Sequence, residues 1–272
     1  MLSLNCERKI NHSSQAANIN FETTQSPVIS IDSVQHSIHV MVALCDNLYQ
    51  GIVKVPEGIG NGQKPGSNLY WGCGYGIKSY FKKSTEWQLI SKRPFPNGLK
   101  KDSVIMERLV FKNKSKNIYL IADAYNGKYI EQCTKDLILS LQGKKKDTIM
   151  INHKTIGLYG NAKLDVYIGH NGLMDFNYSD SISNIDGIQR NCIILACASK
   201  NYFSEILKSS NAKPLLWTTN LMCPEAYTLH DALRGYVQNL SDKEIRNLAA
   251  TAYSKYQKCS LKAALGLLVT GY

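Results

Sequence analysis

Five short apolar runs punctuate this chain, and each gives way to polar residues. They are Ile38 to Leu44, Ile118 to Ala122, Leu164 to Gly169, Cys192 to Ala196 and Leu215 to Trp217. Runs this short, apolar at nearly every position, read as strands covered on both faces. Between and after them lie stretches with helical spacing. Gly127 to Leu141 carries Tyr129, Ile130, Cys133, Leu137, Ile138 and Leu141 on one face, and Tyr202 to Leu207 continues the pattern. Pro224 opens a helix over Glu225 to Tyr236. Ser241 and Glu244 form a capping box ahead of Ile245, Leu248, Ala249, Ala252 and Tyr253, and a last helix spans Leu261 to Val269. Strands alternating with helices predict an α/β fold: a mainly parallel sheet of about five to six strands, helices on both faces and right-handed crossovers.

Two stretches break the alternation. From Gln50 to Gly76 the chain holds Gly51, Gly58, Gly60, Gly62, Gly66, Gly72, Gly74 and Gly76. No phosphate-cradle spacing occurs among them, and a loop this long is read as functional. Trp87 to Ile90 and Val104 to Phe111, separated by Pro94, Pro96 and Asn97-Gly98, predict a small β-hairpin making an excursion from the sheet. The expected organisation is a polar arm over 1–25 and a single α/β domain over 26–272. The loop and hairpin form an insertion at 46–116, and the part from 224 to 272 is helical.

The 272 residues are 44% hydrophobic and 19% charged, ordinary values for a globular chain. The formal charge of +11 is concentrated at Lys78, Lys82, Lys83, Lys92, Arg93, Lys100, Lys101, Arg108, Lys112, Lys114 and Lys116, with Lys144 to Lys146 later. No nucleic-acid module accompanies these cations, so they are read as a solvated surface and not as a nucleic-acid site. The 8 cysteines include no C-x-x-C pair, which argues against a zinc site; neither a metal nor a cofactor is expected. No apolar run approaches the roughly 20 residues that cross a bilayer, so no membrane partner is expected. Met1 to Asn20 lacks the basic and apolar blocks of a secretory leader, and the reading is a cytoplasmic protein with free thiols.

Chemistry collects where the strands stop. His170 follows the third run and Cys197 the fourth, a base and a nucleophile. In a parallel sheet the carboxyl ends share one edge, where open α/β sheets gather ligands. Asp46, Asp123 and Thr218 are expected on the same edge as substrate-binding residues. Each principal residue also has a plainer reading. His170-Asn171-Gly172 has the form of a hairpin corner, with Leu173 to Phe176 as a returning strand, and Cys197 has the form of a packed core thiol.

Tyr167-Ile168-Gly169-His170-Asn171-Gly172 and Ile194-Leu195-Ala196-Cys197-Ala198-Ser199 resemble the His and Cys motifs of the caspase-like cysteine peptidases, the group that includes metacaspases, legumain, clostripain, gingipains and separase. The resembling part runs from Ile38 to about Asn220. The resemblance implies that His170 is the catalytic base and Cys197 the nucleophile, with the amide of Gly172 helping to hold the oxyanion. In that family the Gly follows His directly, whereas here Asn171 intervenes. Two residues before the nucleophile many relatives carry Gln, Glu or Asp, where this chain has Leu195. The family's cleavage preference therefore does not carry over.

The leading expectation is a cysteine endopeptidase acting on a protein or peptide substrate through a thioester. The loop and hairpin would shape access or sense a small-molecule or protein activator. The alternative is a catalytically degenerate module holding a small anionic ligand or partner protein on its basic face. A third reading keeps the dyad and moves it to a different acyl or glycosyl group.

Overall fold

Strand β1, Ser37–Ala43, is buried at every position because it runs between two other strands and beneath two packed layers. In this computed structural model, which describes residues 36–94 and 103–272, β1 pairs in parallel with β4 (Tyr119–Tyr125) on one side and β7 (Leu164–Ile168) on the other. Beyond β7 lie β8 (Arg190–Leu195) and β9 (Ala212–Thr218), both parallel. These are the strands expected from the apolar runs. Three antiparallel strands complete the sheet: β3 (Ile105–Asn113) and β2 (Trp87–Pro94) beside β4, and the two-residue β10 (Leu268–Val269) beside β9. The 87–111 hairpin therefore continues the main sheet at its edge. The expected arm over 1–25 lies outside the described residues.

Alternate side chains of each strand fill separate cores. Ile38, Val40 and Val42 face one way, with Leu120, Ala122, Val166, Ile168, Ile193 and Leu195. That side is covered by α4 (Ala226–Val237) and α5 (Asp242–Gln257), through residues such as Leu229, Leu233, Ile245 and Ala249. Met41, Ile121, Tyr167 and Ile194 face the other way, against Leu137 of α2 (Ile130–Leu141) and Phe203 of α3 (Ser199–Ser209). Helices thus cover both faces, as a parallel sheet requires. The Ser241–Glu244 capping box is formed and opens α5. Two further helices, α1 (Ile77–Lys82) and α6 (Leu261–Leu267), flank the insertion and the last strand.

A hairpin that the apolar pattern does not announce, β5 (Lys146–Ile151) and β6 (Lys154–Tyr159), lies between α2 and β7. Its turn residues Asn152 and His153 both adopt positive φ, 48° and 61°, the geometry that matches a two-residue turn to strand twist. Its first strand is largely solvent-facing, which hides it among polar residues.

The order β9-β8-β7-β1-β4 makes the chain build outward from β1 first toward β4 and then, through α2, back across to β7. The direction of winding reverses between β1 and β7, and a crevice opens at such a switch point outside the carboxyl ends. The segments that meet there are the glycine-rich loop after β1 and the turns after β7, β8 and β9.

Candidate active site

The turn after β7 carries His170. It leaves the strand through Gly169, whose φ is +146° and where a Cβ would lie 2.7 Å from the Ala43 carbonyl oxygen. Only glycine lets β7 end this close to β1. His170 is then fixed from several directions. Its carbonyl accepts from the Tyr167 hydroxyl at 2.7 Å, and its Nε2 lies 3.0 Å from Oδ2 of Asp175. Asp175 in turn accepts from the Gly51 amide at 3.0 Å, which ties the glycine-rich loop to the histidine turn. With Nε2 facing Asp175, Nδ1 has no hydrogen-bond partner among the described residues. Residues 172–174 form a 3-10 turn capped by Asn171, so the hairpin-corner reading of His170-Asn171-Gly172 does not hold.

Cys197 stands between β8 and α3. Ala198 adopts left-handed geometry (φ 49°, ψ 33°) as the N-cap of α3, which turns the chain sharply just after the thiol. The turn is clasped from β9. The Thr218 hydroxyl donates to the Ala196 carbonyl and accepts from the Ser199 amide, and the Ser199 hydroxyl donates to the Ile194 carbonyl at 3.0 Å. From the histidine side, Asn171 Nδ2 donates to the Cys197 carbonyl at 2.8 Å. The thiol has the Met222 backbone as its hydrogen-bond partner among the described residues: Sγ donates to the carbonyl at 3.6 Å and accepts from the amide at 3.4 Å.

Both residues line one cavity of about 490 Å³, whose wall includes Ile52, Val55, Leu69, Tyr70, Met174 and Met222. The glycine-rich loop supplies one whole side of it. The structure thus brings His170 and Cys197 together, and it adds Asp175, which sequence reasoning read as part of a strand. Its signal was an acidic residue one turn after the histidine.

The other expected residues go elsewhere. Asp123 does not lie past the end of its strand: β4 continues to Tyr125, because Arg108 on β3 faces Asp123 in register and neutralises it. Arg108 Nε and a terminal guanidinium nitrogen donate to its two oxygens at 2.6 and 2.7 Å, and His39 Nε2 lies at 2.9 Å. The carboxyl group, held down to about 2 by these partners against its burial, is inaccessible to any substrate. Asp46 is also buried. Its Oδ1 accepts from the Leu48 and Tyr49 amides and its Oδ2 from the Gln63 side chain, so it caps the loop and does not line the cavity. Thr218 is fully buried and acts behind the Cys197 turn. Gly172 is buried against Thr134 and Phe176, and its amide is engaged with the Tyr167 hydroxyl. It lies outside the cavity wall, so it offers no donor to an oxyanion there.

All the cysteines of the described residues are free thiols. Burial pushes Cys45 up to about 11 and raises Cys133 and Cys192 further. Cys223, in the same cavity as Cys197, is raised first by burial and then by the carboxylate of Glu225. Among the described residues no group of three or more His, Cys, Asp or Glu side chains is placed to hold a metal ion, and no helix is long and apolar enough to cross a membrane. No protein-family model matches the chain, and it matches neither a curated protein nor a solved structure.

Proposed function

We propose that the chain is a cysteine endopeptidase that uses Cys197 as nucleophile and His170 as base. The observation that carries this reading is the convergence of the two side chains on one cavity at the sheet's switch point, with His170 oriented by Asp175. His170 takes the thiol proton as Sγ attacks the peptide carbonyl, then gives it to the amine as the C–N bond breaks, leaving a thioester. Water, deprotonated by His170, attacks the thioester and releases the acid, and the sulfur recovers its proton. The Cys197 amide, which has no protein acceptor among the described residues, is available to the oxyanion. A donor of that kind is worth about 3 kcal/mol in acyl transfer. The thiol contacts the Met222 backbone, and its hydrogen bond to His170 forms as substrate binds.

The rival reading, an anionic ligand on the basic face, has fewer cations than the composition suggests. Lys78 pairs with Glu107, Lys145 with Asp136 and Lys146 with Asp186, while Arg108 is buried against Asp123.

The test is the alkylation rate of each cysteine by iodoacetamide, in the wild type and in His170→Ala, alongside cleavage of an unfolded protein substrate by wild type and Cys197→Ala. Cys197 is expected to react fastest, to lose that advantage without His170, and to be required for cleavage. A Cys197 no faster than its neighbours and indifferent to His170 overturns the proposal.

A further inference from the structure

The cavity has a chemical character that the dyad does not explain. Its wall is built from Ile52, Val55, Leu69, Met174 and Met222. Its mouth carries large apolar side chains left in water: Val53 is 92% exposed and Leu221 68% exposed. Exposed apolar side chains gathered around a concavity mark a surface that is covered in use.

Among the described residues no lysine or arginine lines the cavity, and the one carboxylate in its wall is Glu225. One oxygen of that carboxylate, Oε2, accepts from the Tyr227 hydroxyl at 2.9 Å and from the Gln257 side chain at 3.2 Å. Asp46 and Asp123, the acidic groups that a basic substrate side chain would seek, are turned away and saturated. An acidic substrate side chain would find no lysine or arginine here, and a basic one only the single carboxylate of Glu225 at one end of an otherwise apolar wall, so either would give up more hydration than it recovers. A branched or aromatic side chain would displace water from apolar walls at a net gain.

We infer that the His170–Cys197 site takes peptides whose residue on the acyl side of the cut carries a large apolar side chain, Leu, Met or Phe, seated between the glycine-rich loop and the 221–225 segment. This inference rests on Cys197 being the nucleophile.

The experiment compares acetyl-Ala-Ala-Xaa chloromethyl ketones, Xaa being Leu, Phe, Arg or Asp, on the full chain. The Cys197 sulfur displaces chloride, a C–S bond replaces C–Cl, and His170 takes the thiol proton. Labelling of Cys197 is followed by peptide mass mapping. The Leu and Phe reagents are expected to react about 10²-fold faster than Asp and at least about 10-fold faster than Arg. In Leu221→Glu, an exposed position, the Leu-to-Arg ratio is expected to shrink about 10-fold. Arg or Asp reagents as fast as Leu, with His170-dependent labelling of Cys197 intact, overturn the apolar specificity and leave the peptidase reading standing. Failure of all four reagents together with His170-independent iodoacetamide reactivity overturns both.

Discussion

The side-chain amide of Asn171 donates to the carbonyl of Cys197 across 2.8 Å. Asn171, which separates His170 from Gly172, is therefore the strap between the turn after β7 and the turn after β8. Its Oδ1 also accepts from the Leu173 amide, so one side chain caps the 3-10 turn and ties the His170 turn to the Cys197 turn. Asn171→Ala removes both bonds. Each is worth about 1 kcal/mol, so we expect a destabilisation of about 1–2 kcal/mol and a larger, roughly 10-fold or greater, loss of His170-dependent Cys197 alkylation, since misplaced catalytic groups lose rate steeply. Urea unfolding and alkylation rates measured on the same variant separate the two effects. A loss of stability with unchanged reactivity would show that Asn171 only caps the turn.

Asp175 holds His170 through Nε2 and the glycine-rich loop through the Gly51 amide. Asp175→Asn keeps the shape but removes the negative charge facing His170 Nε2 and can set an amide donor there, which no longer fixes the imidazole tautomer. Peptide cleavage is expected to fall about 10²-fold or more in kcat, with KM changed little. Equal changes in both constants, or an effect confined to KM, would assign Asp175 to loop anchoring instead.

Ala198 makes the sharp turn after Cys197 with φ 49° and ψ 33°. Left-handed geometry costs an L-residue about 1–2 kcal/mol, and glycine is spared that cost. Ala198→Gly is expected to fold with equal or up to about 1 kcal/mol greater stability, the gain reduced by the freer unfolded chain. Ala198→Val, β-branched, is expected to lose about 2 kcal/mol. Chemical denaturation of the pair is the check, and a valine variant as stable as the glycine one would contradict the strained turn.

The sheet and its helices were legible because they depend on local patterns. Ile38–Leu44 and Cys192–Ala196 are apolar at nearly every position, and Ser241 and Glu244 announce α5 three residues apart. What stayed hidden depends on partners distant in sequence. Asp123 looks like the end of a strand until Arg108 is seen opposite it. Asp175 looks like a residue of an alternating strand until His170 folds back onto it. Of the cavity wall, Leu69 and Tyr70 are legible as an apolar patch in the loop that packs it down or lines a pocket, but Ile52 and Val55 are not, because no period in the glycine-rich loop marks which side chains face inward. His170 and Cys197 stood out because each closes an apolar run, and parallel pairing of β7 with β8 sets those ends side by side.

Asp165, the second residue of β7, is fully enclosed. Its Oδ2 accepts from the Ser140 hydroxyl at 2.6 Å, while Oδ1 has no hydrogen-bond partner among the described residues. Burial pushes its carboxyl up to about 8 from an ordinary 3.8, against the weaker pull of Ser140 and Arg190. The folded chain therefore keeps this proton over a range in which the unfolded chain has lost it. Stability from this group is full below about pH 4 and declines as pH rises toward about 8, by at most about 1.4 kcal/mol per pH unit. Asp123 and His39, in the neighbouring buried cluster, titrate with their own signs, so the total profile mixes several groups. Asp165→Asn isolates one of them. The variant's stability minus that of the wild type is expected to rise steadily between about pH 5 and pH 8 and then level off. Urea midpoints at several pH values measure it, and a difference that stays flat across that range would mean that Asp165 is ionised in the fold and paid for by a partner other than Ser140.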